Sequence, residues 1–261
     1  SSLSWTYLGA IICFLLALLS KEIAVTFPLA LLLTDVVARG RRGADLRDTF
    51  LRFQLPAWGV LAAYLSAAAF HPRYVYLLDV SLGIRPVYEN LLTQSNVVAY
   101  ALSLFLFPGR LNFEHDLPLF GSVLAWPTPF ALLLLLGLLT SAALLVRRNP
   151  LAAFGLFWFF LQLLPTNSVL PRYDLLSERN LYLPAPGFFL ALVSLWAACV
   201  IHLRQSASAS RWAHTGARVM RILPVALVPL LVVMTVARNA LYADPVAFLS
   251  HAQQNAPGKA R

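Results

Sequence analysis

The chain reads as an all-α, polytopic transmembrane helical bundle of about seven spans, with one further re-entrant or interfacial helix. Three observations predict it. Apolar residues make up 59% of the 261 positions and charged residues only 12%, about half the charged share of an ordinary soluble domain. The apolar residues fall in long Leu/Ala/Val/Phe runs without the two-residue alternation of an outer-membrane strand, and a helix pairs its own backbone amides in hydrocarbon. Arginines, finally, collect in alternate loops.

A crossing needs roughly 20 mostly apolar residues. Runs 3–20 and 23–38 come first, interrupted by Lys21 and Glu22. An arginine-rich loop with Arg39, Arg41, Arg42, Arg47 and Arg52 leads to run 54–70. The stretch 95–108 is short for a span; it reads as a re-entrant or interfacial helix, or as the end of a longer helix starting near Glu89. Run 128–146 ends at Arg147 and Arg148, and run 150–165 follows. Run 184–202 precedes Arg204, Arg211, Arg218 and Arg221, and run 221–237 is the last.

With the three arginine loops on the cytoplasmic side, that face holds 11 of the 20 basic residues and the acids Asp35, Asp45 and Asp48, a net +8, against +1 for the other face. This is the positive-inside bias. The net charge of +9 is thereby topological and argues against a nucleic-acid partner. The same orientation requires an even number of crossings between loops 39–53 and 147–149, so 95–108 is not expected to cross. Cys13 and Cys199 sit inside apolar runs, which indicates neither a disulfide framework nor a zinc site. No small-residue cleavage pattern follows the first apolar run.

Charged residues at membrane depth gather on the outer face. Lys21 and Glu22 separate two apolar runs, where ionisable groups are costly and usually pair or line a polar cavity; a tight turn with a snorkelling lysine is the alternative. His71, Arg73, Asp79, Arg85, Glu89, Glu114, His115 and Asp116 lie on the same side, and Asp79, Glu89 and Asp116 read as wetted surface. Residues 165–187, PTNSVLPRYDLLSERNLYLPAPG, carry four charges, two tyrosines and four prolines. Arg172 and Arg179 offer planar forks suited to phosphate oxygens. A Glu178–Arg179 ion pair anchoring the next helix accounts for part of the same pattern. Tyr173 and Tyr182 suit an interface or a sugar face.

Two stretches, SKEIAVTFPLALLLTD (Ser20 to Asp35) and SERNLYLPAPGFFLALV (Ser177 to Val193), resemble signatures of the multi-spanning C-type (GT-C) glycosyltransferases with C-terminal tetratricopeptide repeats. That group includes transmembrane O-mannosyltransferases and their bacterial relatives. The tail ARNALYADPVAFLSHAQQNAPGKAR (Ala237 to Arg261) resembles the family's linker into its first repeat. The resemblance implies a GT-C-like membrane domain over 1–237 and an outer-face linker over 238–261 leading into a repeat array. It implies a bacterial inner-membrane location with a periplasmic C-terminus, and no cofactor beyond a polyprenyl-phosphate sugar as donor, drawn from the membrane lipid. The acceptor would be a hydroxyl of a protein or glycan.

In that setting Lys21, Arg172 and Arg179 are the candidate cations for the lipid phosphate. Glu22 and Glu178 are expected to hold them, and Tyr182 to fix how the next helix begins. The family's catalytic acid is expected in the first outer loop, which no segment before residue 20 supplies, so the chain reads as a fragment and its catalytic residue is unassigned. No metal ligand set is expected. Two other classes use the same features: a transporter or flippase for a lipid-linked intermediate, and a non-catalytic membrane scaffold for a repeat domain.

Overall fold

The computed structural model of the chain describes residues 2–39, 50–113, 115–167, 169–206 and 211–255. Most of the first arginine loop, and Glu114, lie outside the described residues. Among the described residues there are ten α-helices and no strand: α1 (Ser2–Ser20), α2 (Phe27–Arg39), α3 (Leu55–Phe70), α4 (Pro72–Ile84), α5 (Val87–Leu106), α6 (Thr128–Arg148), α7 (Pro150–Leu163), α8 (Pro184–Ser206), α9 (Arg211–Ala243) and α10 (Pro245–Asn255). Proline opens four of them because its missing N–H costs nothing in a first turn. Side-chain caps assist: Asn149 Oδ1 accepts from the Ala152 amide at 3.2 Å, and Asp244 Oδ1 from the Val246 amide at 2.9 Å.

Among the described residues three helical stretches are long and apolar enough to cross a membrane: Thr128–Arg148, Pro184–Gln205 and Val225–Ala243. Trp5–Ser20, Leu55–Phe70 and Pro150–Leu163 are shorter apolar helices. The expected span 150–165 shows the difference. Its helix has 14 residues and is about 21 Å long, less than the ~30 Å hydrocarbon core. Its first turn is tied to the middle of α8, where Asn149 Oδ1 accepts from Ser194 Oγ at 2.7 Å. The run 23–38 opens as a 3₁₀ turn (Glu22–Thr26) before α2. The stretch 95–108 is the end of a longer helix, α5, and α4 occupies a segment where no helix was expected. The expected domain boundary at 237/238 falls inside α9.

The bundle is assembled on α7. It packs on α6, α2 and, most extensively, α8. Gly155 and Gly187 allow that last crossing: a Cβ on Gly187 would lie 2.6 Å from the Gly155 carbonyl oxygen and 2.9 Å from the Phe159 amide. In lipid, where apolar side chains gain little by leaving their surroundings, such close backbone approach gives helices their packing energy. Phe159, fully buried, joins Val97, Ala101 and Leu104 of α5 and Leu163 of α7 in one apolar cluster with Leu175, Leu176 and Leu181 of the irregular 165–183 segment. That segment is therefore part of the core. A second cluster, Phe14, Leu18, Ala57 and Leu61, joins α1 to α3.

Candidate functional site

The 165–183 segment is held by a row of side chains from α4 and α5. Ser81 Oγ donates to the Pro171 carbonyl at 2.6 Å, Arg85 Nη2 to the Arg172 carbonyl, Asn90 Nδ2 to the Val169 carbonyl at 3.3 Å, and Gln94 Nε2 to the Leu175 carbonyl at 3.4 Å. Asn167 Nδ2 donates to Gln94 Oε1 at 2.9 Å. An irregular segment in a membrane chain needs such partners, because its carbonyls have no helix to satisfy them. Asn90 and Gln94 are buried and turn their amides toward this segment, while buried Asn96 Nδ2 donates to Thr128 Oγ1 at 2.9 Å and Thr93 Oγ1 accepts from the Phe120 amide at 3.0 Å.

Farther along, Glu178 is a junction. Its Oε1 accepts from the Asn112 amide at 2.5 Å and lies 3.0 Å from His115 Nε2. Its Oε2 accepts from Arg238 Nη2 at 3.1 Å, while Arg238 Nη1 donates to the Leu111 carbonyl at 2.6 Å. His115 Nδ1 lies 3.3 Å from the Tyr100 hydroxyl. One carboxylate thus joins the 111–115 loop to α9. The expectation that Glu178 holds Arg179 or its fellow cations is replaced by this arrangement. A carboxylate facing an amide, an imidazole and a guanidinium is already satisfied, and Arg179 points elsewhere. Among the described residues neither Lys21, Arg172 nor Arg179 enters an ion pair.

These exposed cations line two neighbouring cavities. The first, of about 550 Å³, is bordered by Glu22, Tyr74, Arg172, Asp174, Arg179 and Asn180. The second, of about 630 Å³, is bordered by Lys21, Arg179 and Tyr182 with Phe105, Phe189 and Leu231, a much more apolar wall. Both are in the size range of small-ligand sites. Arg179 belongs to both, because the 3₁₀ turn Glu178–Leu181 places it between them. The structure thus brings together all six residues singled out in the sequence: Glu22, Arg172 and Arg179 on the polar side, and Lys21, Glu178, Arg179 and Tyr182 on the apolar side. Tyr182 is 79% exposed and presents its ring to the second cavity. Among the described residues no group of three His, Cys, Asp or Glu side chains is close enough to hold a metal.

Sequence reasoning did not single out Ser81, Asn90, Gln94, Arg85, His115 or Arg238 as site residues. One signal was present. Glu89, Asn90, Thr93, Gln94, Ser95 and Asn96 crowd polar groups into an otherwise apolar chain, where each unpaired amide is costly and implies a polar partner.

No family model matches the chain, and neither a curated protein nor a solved structure matches it.

Proposed function

We propose that the chain is the membrane part of a transferase that takes a sugar from a polyprenyl-phosphate donor at the outer face and gives it to a hydroxyl of a protein or glycan. The observation that carries this reading is the placement of Arg179 on the rim of two cavities of different character. An isoprenoid chain suits the wall of Phe105, Phe189 and Leu231. A sugar and its hydroxyl acceptor suit the side lined by Glu22, Tyr74, Asp174 and Asn180. The phosphate between them would meet Lys21, Arg172 and Arg179. In displacement at the anomeric carbon the leaving phosphate gains charge, and preorganised cations stabilise that charge more than the ground state. The base for the acceptor hydroxyl is not assigned to a residue of this chain.

The reading retains seven crossings, with α1, α2, α3 and α7 added to the three long apolar stretches, and α5 lying along the outer end. Two features support it. Both ends of α5 meet the same segment, through Asn90 at Val169 and through Leu104 in the apolar cluster with Leu175, Leu176 and Leu181. Arg147 and Arg148 close α6 at the opposite end of α7 from the cavities. A bacterial inner membrane with the cavities, α10 and a following repeat array on the periplasmic side completes the proposal.

Binding tests it directly. With the chain in phosphatidylcholine nanodiscs, a polyprenyl-phosphate sugar should bind far more tightly than the corresponding polyprenol, and Arg179→Ala should remove most of that preference. Equal binding of phosphate and alcohol would sink the assignment.

A further inference from the structure

Of the four side chains that hold the irregular 165–176 segment to α4 and α5, three are neutral and one is a guanidinium. Ser81, Asn90 and Gln94 show that an uncharged donor is enough to satisfy a carbonyl of this segment. Arg85 makes the equivalent bond to the Arg172 carbonyl, yet it is only 7% exposed, and its Nε and Nη1 have no hydrogen-bond partner among the described residues. It enters no ion pair among them either. Burial pulls its pKa down, and Glu89, one turn into α5, opposes the shift. An arginine lowered in this way still remains cationic near neutrality. A buried, unpaired charge with two idle donors is destabilising, and the hydrogen bond to Arg172 does not require it.

The charge is one hydrogen bond away from the wall of the polar cavity, through the carbonyl of Arg172. Ser81 and Ile84 on the helix that Arg85 caps line that cavity, as do Pro171 and Arg172 on the segment it holds. In a poorly hydrated wall a charge acts over a longer distance than it does in water. Resting on the anionic-headgroup reading above, we propose that Arg85 is a positioning residue for the anion site, which fixes the backbone of Arg172 and adds a buried positive charge that draws a phosphate into the polar cavity. Arg172 would meet the phosphate from the cavity surface, and Arg85 would act from one hydrogen bond away.

Two substitutions separate charge from hydrogen bonding. Arg85→Gln keeps an N–H donor for the Arg172 carbonyl and removes the charge, whereas Arg85→Lys keeps both a donor and the charge. The probe is hexadecyl phosphate, with hexadecanol as the uncharged control, titrated against the chain in phosphatidylcholine nanodiscs. Removing this charge should weaken hexadecyl phosphate binding roughly 10- to 100-fold in Arg85→Gln, leave Arg85→Lys close to the unaltered chain, and leave hexadecanol unchanged in both. Glu89→Gln, a change at a half-buried position that removes the opposing carboxylate, should tighten phosphate binding several-fold and supplies the decisive readout where Arg85→Gln does not fold. Phosphate binding in Arg85→Gln equal to that of the unaltered chain, equal losses in the Gln and Lys variants, or no effect of Glu89→Gln would overturn the proposal. If the unaltered chain fails to prefer hexadecyl phosphate over hexadecanol, the headgroup reading itself fails; if it does prefer it and the variants do not differ, only the role of Arg85 fails.

Discussion

Glu178 and Arg238 are 60 residues apart in the chain and 3.1 Å apart in the fold. The pair fastens the far end of α9 to the turn that carries Arg179. Because Arg238 also donates to the Leu111 carbonyl and packs 5.8 Å from the Tyr242 ring, one side chain connects α9, the 111–115 loop and the rim of both cavities.

Removing that connection should loosen the outer end without dismantling the bundle. Both partners are about a quarter exposed, so Arg238→Met should cost about 1–2 kcal/mol, allowing for solvent screening. Thermal unfolding in detergent, followed by tryptophan fluorescence, measures it. An unchanged midpoint would mean that the pair contributes nothing to stability.

The glycine crossing of α7 and α8 makes a contrasting prediction. Gly187→Ala places a Cβ against the backbone of Gly155 and Phe159, where no side-chain rotation relieves it, and should cost about 1–3 kcal/mol or more. Gly137→Ala, with nothing within 4 Å of the added atom, should be neutral or slightly stabilising because alanine favours a helix. The fraction monodisperse after detergent extraction and heating distinguishes the two. Equal behaviour of both variants would contradict the close crossing.

Arg172 and Arg179 differ in what they border, and their variants should differ in turn. Under the proposed function, Arg179→Ala should reduce sugar transfer from a polyprenyl-phosphate donor by ~10²- to 10³-fold, the loss typical of one preorganised charge-stabilising contact. Lysine should restore only part of it, since it lacks the bidentate fork. Arg172→Ala should weaken binding on the polar side alone. Near-normal transfer per folded molecule in both alanine variants would remove the phosphate role.

Sidedness can be read by labelling. After replacement of the two native cysteines, Cys13 and Cys199, both exposed on the bundle surface, a cysteine at 172 and one at 148 should react with a membrane-impermeant maleimide from opposite sides of sealed vesicles. Reaction of both from one side would overturn the placement of the cavities opposite Arg147 and Arg148.

That this chain is helical and membrane-like, and where its charged stretches lie, was legible in the order of its residues. Composition and run length suffice for that, because hydrocarbon imposes one requirement, internal pairing of every backbone amide, that only a few residue patterns satisfy. The apolar runs 128–146, 150–165 and 184–202 placed the starts of α6, α7 and α8 closely. Lys21, Glu22 and the 172–182 segment stood out because charge at membrane depth is rare and costly.

Which charge meets which was decided only in three dimensions. Glu178 is adjacent to Arg179 in sequence, yet it pairs with His115 and Arg238, because a 3₁₀ turn points neighbouring side chains in different directions. The length of α7, the helical state of 72–84 and the strapping of 165–176 by Ser81, Arg85, Asn90 and Gln94 likewise depend on packing between segments far apart in the chain. Local periodicity carries no information about such pairings, since their energy arises only when two distant surfaces close on each other.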